Sequence, residues 1–263
     1  MIELVQQLKL KNESLFYFGL ICLILSGLFL ALTKMTHTQV FQVNAWYKPF
    51  KFAFSIFLFS WTMALYCSYL PDFNIRLFNR TLIILFGFEI AYIAIQAGRG
   101  QLSHFNLSTP LYSFLYVLMA IAATAVTVYT AYICWLFFST DFPALPDYYV
   151  WSIRLALLLF VIFSFEGFLM GSRLNHSVGA VNDNSNWWII GWSKSFGDLR
   201  VAHFIGMHAL QIIPLVSYYL LKNTKAAIIV SIVYGILALT TLLQALQGKP
   251  LFRSKQEQEN TAL

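Results

Sequence analysis

The chain has 263 residues, of which 59% are hydrophobic and only 11% charged, with a formal net charge of +6 and a mean hydropathy of +0.68. Soluble domains carry about 45–50% apolar and about 25% charged residues, so this composition excludes an ordinary water-soluble globule, a disordered chain and a disulfide-stapled secreted module. The 17 Lys and Arg lie singly or in pairs without a basic stripe, which sets nucleic acid aside and fits membrane flanks facing anionic headgroups.

In chain order, a polar lead from Met1 to Ser14 precedes the apolar run Leu15–Thr33. That run is long enough to span a bilayer and has no small-x-small cleavage site, so an uncleaved first helix is expected. Six more runs reach spanning length: Phe52–Leu70, Thr81–Gly98, Leu111–Thr140, Val150–Gly171, Val201–Leu221 and Ala226–Leu246. Backbone groups in hydrocarbon must be satisfied within the segment, and barrel strands would alternate in short stretches. The expectation is an all-α polytopic bundle of seven transmembrane helices in one domain, residues 1–247, with the lipid bilayer as its partner and a polar tail at 248–263. Pro49 opens the second span and Pro71 closes it, Gly98 and Gly100 end the third, and Pro214 kinks the sixth. Trp46, Trp187, Trp188 and Trp192 fit interfacial belts. Cys22, Cys67 and Cys134 sit inside apolar runs with no C-x-x-C pair, as small hydrophobes do.

Seven spans place the N-terminus and the second, fourth and sixth connections on one side, with Lys9, Lys11, Arg76, Arg80, Lys222 and Lys225. The other side carries Lys34, Lys48, Lys51, Lys249, Arg253 and Lys255, together with Arg99, Arg173, Lys194 and Arg200. With these last four reserved for a site, the positive-inside rule balances and leaves orientation open.

Charge within a span costs at least about 2.5–3.5 kcal/mol and marks function by default. Glu89 in the third span and Glu166 in the fifth meet that condition. At 100° per residue, Glu89, Tyr92, Gln96 and Arg99 share one stripe. Glu166, Arg173 and His176 form a matching stripe if the fifth helix continues to His176, which suggests a diverged internal repeat. The sixth span opens at Asp198, placed to cap it. Arg200, His203, Met207 and Gln211 then share a face, with His208 about 140° from His203. His104 in the loop after the third span joins the same side, and His37 falls there as well. Glu89, Glu166, His203 and His208 are therefore the catalytic candidates. His104, His176, His203, His208 and Glu166 are the metal candidates, and His104, His176 and His208 the cofactor ligands. Gln96, Arg99, Arg173, Asp198, Arg200 and Gln211 are the substrate-binding candidates, the arginines forming an anion clamp. The plain alternative pairs Glu89 with Arg173 and Glu166 with Arg99 as glue between helices, although such polar contacts average only about 0.6 kcal/mol.

Di-metal sites in bundles use E-x-x-H pairs, which are missing here, and the i, i+5 spacing of His203 and His208 does not put both rings on one ion. A transition metal and haem b both stay open as cofactors. The nucleophile elbow and the Walker and dinucleotide glycine patterns are absent.

The stretches Trp46–Lys51, Gln96-Ala97-Gly98-Arg99-Gly100, Ser103-His104-Phe105-Asn106, Gly197-Asp198-Leu199-Arg200-Val201-Ala202-His203-Phe204 and His208-Ala209-Leu210-Gln211 carry a resemblance. Across the second to sixth spans the chain resembles a group of uncharacterised bacterial multi-pass membrane proteins of about seven helices. The resemblance implies a bacterial inner membrane and a shared site, and no activity. The seven-helix zinc hydrolases that include ceramidases are a second comparison, but their last-helix H-x-x-x-H is missing. Two functions are expected: a metal- or haem-dependent enzyme or redox protein acting on a lipid-soluble or small anionic substrate, or a proton-coupled transporter or receptor-like bundle without cofactor.

Overall fold

The computed structural model describes residues 2–179 and 191–252. Helix α1 (Ile2–Lys11) ends at Asn12, whose side chain accepts the Leu15 N–H at 3.2 Å and so caps α2 (Glu13–Met35). A two-stranded ribbon, β1 (Gln39–Val40) and β2 (Val43–Asn44), leads to α3 (Tyr47–Cys67). Helices α4 (Ile75–Gly98) and α5 (Pro110–Ser139) follow, capped by Asn74 and by Thr109 with Pro110 in the first turn. The fifth span is divided into α6 (Asp147–Phe165) and α7 (Gly167–Arg173), with Glu166 at the break. Strand β3 (Ser177–Val178) pairs antiparallel with β4 (Gly197–Asp198). Helix α8 (Leu199–Val216) then runs into a π turn at Ser217–Leu221, and α9 (Thr224–Leu246) closes the bundle.

Seven helical segments are long and apolar enough to cross a membrane, counting α6 with α7 and α8 with its π turn as one each. The chain is thus an all-α, multi-pass integral membrane protein. The observed helices start earlier than the apolar runs, α3 at Tyr47 and α4 at Ile75. Lys48, Lys51, Arg76 and Arg80 interrupt the hydrophobic signal, yet long cationic stems ride on a helix end with their charges at the interface.

Lipid tails are as apolar as leucine, so tight packing rather than hydrophobicity holds the helices together. Helix α2 packs on α3, and α6 on α8 and α9. Glycines permit the closest approaches: a Cβ on Gly19 would overlap the Trp61 indole, and one on Gly206 would overlap the Phe163 ring. Leu15, Met63, Phe78, Phe137, Ile153, Leu157 and Leu210 are fully buried between the helices. Pro214 has no N–H to give the Leu210 carbonyl, and the buried Tyr66 hydroxyl supplies one from α3 at 2.8 Å.

The end of the bundle at the α5–α6 connection carries an intramembrane cation. Arg154 donates through Nε to the Phe137 carbonyl at 2.8 Å and through Nη2 to the Thr140 carbonyl at 3.0 Å. It therefore satisfies the last carbonyls of α5, the negative end of that helix. On the same side, Asn12 and Asn79 exchange reciprocal amide hydrogen bonds of 3.1 and 2.7 Å. Cys22, Cys67 and Cys134 are buried and free.

Candidate functional site

The face opposite Arg154 gathers the connections at 36–46 and 99–109 and the described residues 174–179 and 191–198. Glu166 lies about 10 Å inside this face, seven residues before the end of α7. Its carboxylate is buried, the residue being 6% exposed, and neither oxygen has a hydrogen bond among the described residues. His203 Nδ1 stands 3.3 Å from Glu166 Oε2. The same nitrogen is 2.7 Å from the Phe163 carbonyl, which can only accept, so Nδ1 carries the ring proton and Nε2 is left with its lone pair. The helix break makes this contact. In a continuous helix the Phe163 carbonyl would belong to Gly167; here it faces His203, whose ring a Cβ on Gly167 would touch at an ordinary 3.5 Å.

His208, one turn deeper on α8, is held differently. Its Nδ1 lies 3.2 Å from Gln211 Oε1, and Gln211 Nε2 donates to Thr62 Oγ1 of α3 at 3.2 Å. Thr62 passes its own proton to the Leu58 carbonyl. This chain fixes His208 as the Nδ1–H tautomer and ties α8 to α3. The Phe204 ring covers the imidazole edge-on at 4.3 Å, and Trp192 covers Phe204.

His104 has the opposite tautomer. Lys48 Nζ and Ser103 Oγ lie 3.0 and 3.2 Å from His104 Nδ1. A charged ammonium can only donate, so against it Nδ1 accepts. Burial first, then the Lys48 charge, holds the His104 pKa well below the ordinary imidazole range, and the ring is neutral.

Asp198 organises the mouth of α8. Its carboxylate accepts from the backbone of Ser193 and Arg200 and from Arg200 Nε at 2.9 Å and Nη2 at 2.6 Å. Burial pushes this carboxyl up, but the hydrogen bonds and charge of Arg200, with His176 and the Ser193 N–H, outweigh it and hold the pKa below its ordinary value. Arg200 Nη2 also donates to the Gly191 carbonyl.

Several expected groupings do not form. The fifth helix does not continue to His176: Glu166 interrupts it, and Leu174 ends α7 in the left-handed region at φ 50°. His176 therefore sits in the loop before β3, where its carbonyl accepts from the Leu199 N–H. The stripe matching Glu89, Gln96 and Arg99 is lost with it, because α4 is unbroken. Among the described residues no group of three or more His, Cys, Asp or Glu side chains is placed to hold a metal ion. His104, His176, His203, His208 and Glu166 thus do not form the metal centre expected of them: His104 is held by Lys48, His203 by the Phe163 carbonyl and His208 by Gln211. Neither Glu89–Arg173 nor Glu166–Arg99 is paired among the described residues. Arg99 and Arg173 are exposed, so of the three arginines only Arg200 enters the network. Gln96 serves the fold, donating to the Leu102 carbonyl at 3.1 Å and pinning the loop that carries His104. Glu89 is buried at mid-span with no ion pair among the described residues. His37 is exposed, and Trp187 and Trp188 lie outside the described residues.

Lys48 and Lys51 escaped the sequence reading, which took them as flanks of the second span. Their i, i+3 spacing just after Trp46 was the available signal, had the helix been started five residues earlier. Arg154, another intramembrane charge, was also missed. Compared with known proteins, the chain matches no family model, no curated protein and no solved structure.

Proposed function

We propose that this protein is a proton-coupled membrane transporter that works without a cofactor, with Glu166 and His203 as its proton-carrying pair. The observation that carries the reading is the Glu166 carboxylate, buried and without a hydrogen bond among the described residues, 3.3 Å from an imidazole. A buried carboxylate is expensive unless paired or protonated. Glu166 is therefore suited to hold a proton in one state and to give it up, towards the imidazole, in another. His203 Nε2 has no hydrogen bond among the described residues, so protonation of the ring leaves the Phe163 hydrogen bond intact while setting a cation beside the carboxylate. Transporters place coupling groups at interrupted helices, where displaced backbone lines the path. The break at Glu166 and the Pro214–π-turn interruption of the sixth span support that reading. The metal-dependent enzyme expected as the other function has no ligand group among the described residues. The resemblance noted above supports a bacterial inner membrane as the setting.

The test is proton movement in proteoliposomes containing a pH-sensitive dye, with imposed gradients of a panel of small anions and neutral solutes. At least one solute should drive dye-reported proton flux in the wild type, and Glu166→Gln should reduce that flux at least tenfold while inserting normally. Equal flux in the two proteins would overturn the proposal, as would a Soret band or stoichiometric metal in the purified wild type.

A further inference from the structure

Glu89 is a buried acid that the Glu166–His203 pair does not use. It lies nine residues before the end of α4, about 14 Å inside the face that carries His104. At 100° per residue its side chain leaves the helix between those of Tyr92, about 60° to one side, and Ile93, about 40° to the other. Tyr92 and Ile93 form one cluster with Met119 of α5, and Phe52 of α3, Phe88 and Leu115 pack against it. The Glu89 carboxyl is thus set among aromatic and aliphatic side chains. The residue is 6% exposed, and no hydrogen bond or ion pair reaches it among the described residues. A carboxylate so placed is costly unless a proton or a cation neutralises it.

The elements packed around α4 bring few charged or titratable groups to this half of the helix. From α2 comes the buried Cys22 thiol, and from α5 the Tyr112 and Tyr116 phenols. Helix α4 itself adds Tyr92, whose hydroxyl accepts from Gln96 Nε2 at 3.4 Å, and the exposed Arg99 at its end. On α3, Lys51 lies against Gly191, whereas Lys48 stands with its Nζ 5.8 Å over the Phe52 ring and 3.0 Å from His104 Nδ1. The His104 ring is 5.6 Å from Phe52 as well. Lys48 has no acid in ion-pair contact among the described residues. One ring, Phe52, therefore adjoins both a lysine without an acid and the cluster around an acid without a base.

We propose that Glu89 is a second proton-binding site, which holds a proton as a neutral carboxylic acid at neutral pH and exchanges it past Phe52 with the Lys48 ammonium as incoming counter-charge. Displacement of the Phe52 ring lets Lys48 leave His104 and approach the carboxyl. The Glu89 O–H bond then breaks, its proton passes to water at the face, and the ammonium pairs with the carboxylate left behind. Return of Lys48 to His104 is coupled to uptake of a proton by Glu89. Phe52 and Lys48 are positioning residues in this scheme, and Glu89 is the group that carries the proton.

The experiment is infrared spectroscopy of the full-length protein in lipid bilayers, with and without carbon-13-labelled glutamate. The Glu166→Gln background removes the other buried glutamate. There a label-sensitive carboxylic-acid C=O band should remain at neutral pH and vanish when Glu89→Gln, a neutral near-isostere of the acid, is added. Lys48→Gln, which deletes the counter-charge, should let the band persist to a pH higher by at least about one unit. Lys48→Arg should restore most of that difference. Phe52→Ala should speed the shift of the band on stopped-flow mixing with deuterium oxide at least severalfold. Absence of the band in Glu166→Gln, or its survival in the double variant, would overturn the site. A titration unmoved by Lys48→Gln together with an exchange rate unmoved by Phe52→Ala would overturn the route. The readout needs no transported solute, so this site and the transport reading of Glu166 fail separately.

Discussion

Two buried polar clusters, one towards each end of the bundle, are answered in different ways. At the α5–α6 end, Arg154 is spent on the terminal carbonyls of α5, and Asn12 and Asn79 exchange reciprocal amide hydrogen bonds. At the other end, Glu166 has neither oxygen bonded among the described residues, and His203 and His208 each have a single ring nitrogen engaged there. Both arrangements set polar groups against the same desolvation penalty. Where every group is answered by backbone or a matching amide, the charge is architectural. Where a carboxylate is left short beside an imidazole, the arrangement supports the proton-carrying role proposed above.

The sharpest way to break this comparison is to remove the architectural charge. Arg154→Ala strips two charge-assisted hydrogen bonds from carbonyls at the end of α5, and should lower unfolding stability in detergent by about 3 kcal/mol. A loss below about 1 kcal/mol would mean that this end is no better satisfied than the other.

Acid should act next, through the loop end. His104 is held neutral in the fold by burial and by Lys48, with Ser103, Phe52 and Phe105 as its other neighbours. In the unfolded chain its imidazole titrates near about 6.5. The folded pKa is the lower one, so this stability is complete above about pH 6.5 and is lost as pH falls below it, by up to about 1.4 kcal/mol per pH unit. Thermal unfolding of His104→Gln should show a flatter slope between about pH 6.5 and 5. Asp198, also depressed, contributes only in the more acidic window below about pH 4. An unchanged slope in His104→Gln would contradict the neutral ring.

A smaller effect sharpens the reading of the sixth span. Tyr66→Phe should cost about 1 kcal/mol, because the Leu210 carbonyl then loses its donor. In a Pro214→Ala background that cost should shrink, since the restored N–H answers the carbonyl from within the helix. A double-mutant cycle with no coupling would show that Tyr66 does not compensate for the proline. Smallest of all, Glu166→Gln should change stability by less than about 1 kcal/mol, because neither carboxylate oxygen has a hydrogen bond to lose among the described residues.

Much of the bundle is legible in the sequence because lipid demands long apolar runs, and the seven spans are found with shifted ends and with a break in the fifth. Those ends moved where Lys48, Lys51, Arg76 and Arg80 sit inside helices but outside the hydrophobic run. Glu166 and His203 stand out to any reader, since ionisable residues within spans are rare. Their meeting is another matter. It depends on a break at Glu166 within a stretch that reads as one continuous helix, and on a Phe163 carbonyl turned towards another span. Neither leaves a mark in hydropathy or periodicity. The expected histidine cluster failed for the complementary reason: sequence places residues on a side of the membrane, while their distances depend on which helices adjoin.

The most direct test of Glu166 as a proton carrier is a pH-difference infrared spectrum of the membrane-embedded protein, wild type against Glu166→Gln, with and without isotope-labelled glutamate. The expected result is a titrating carboxylic-acid C=O band that shifts with the label and disappears in Glu166→Gln, leaving any Glu89 band in place. Superimposable spectra from the two proteins would contradict the account.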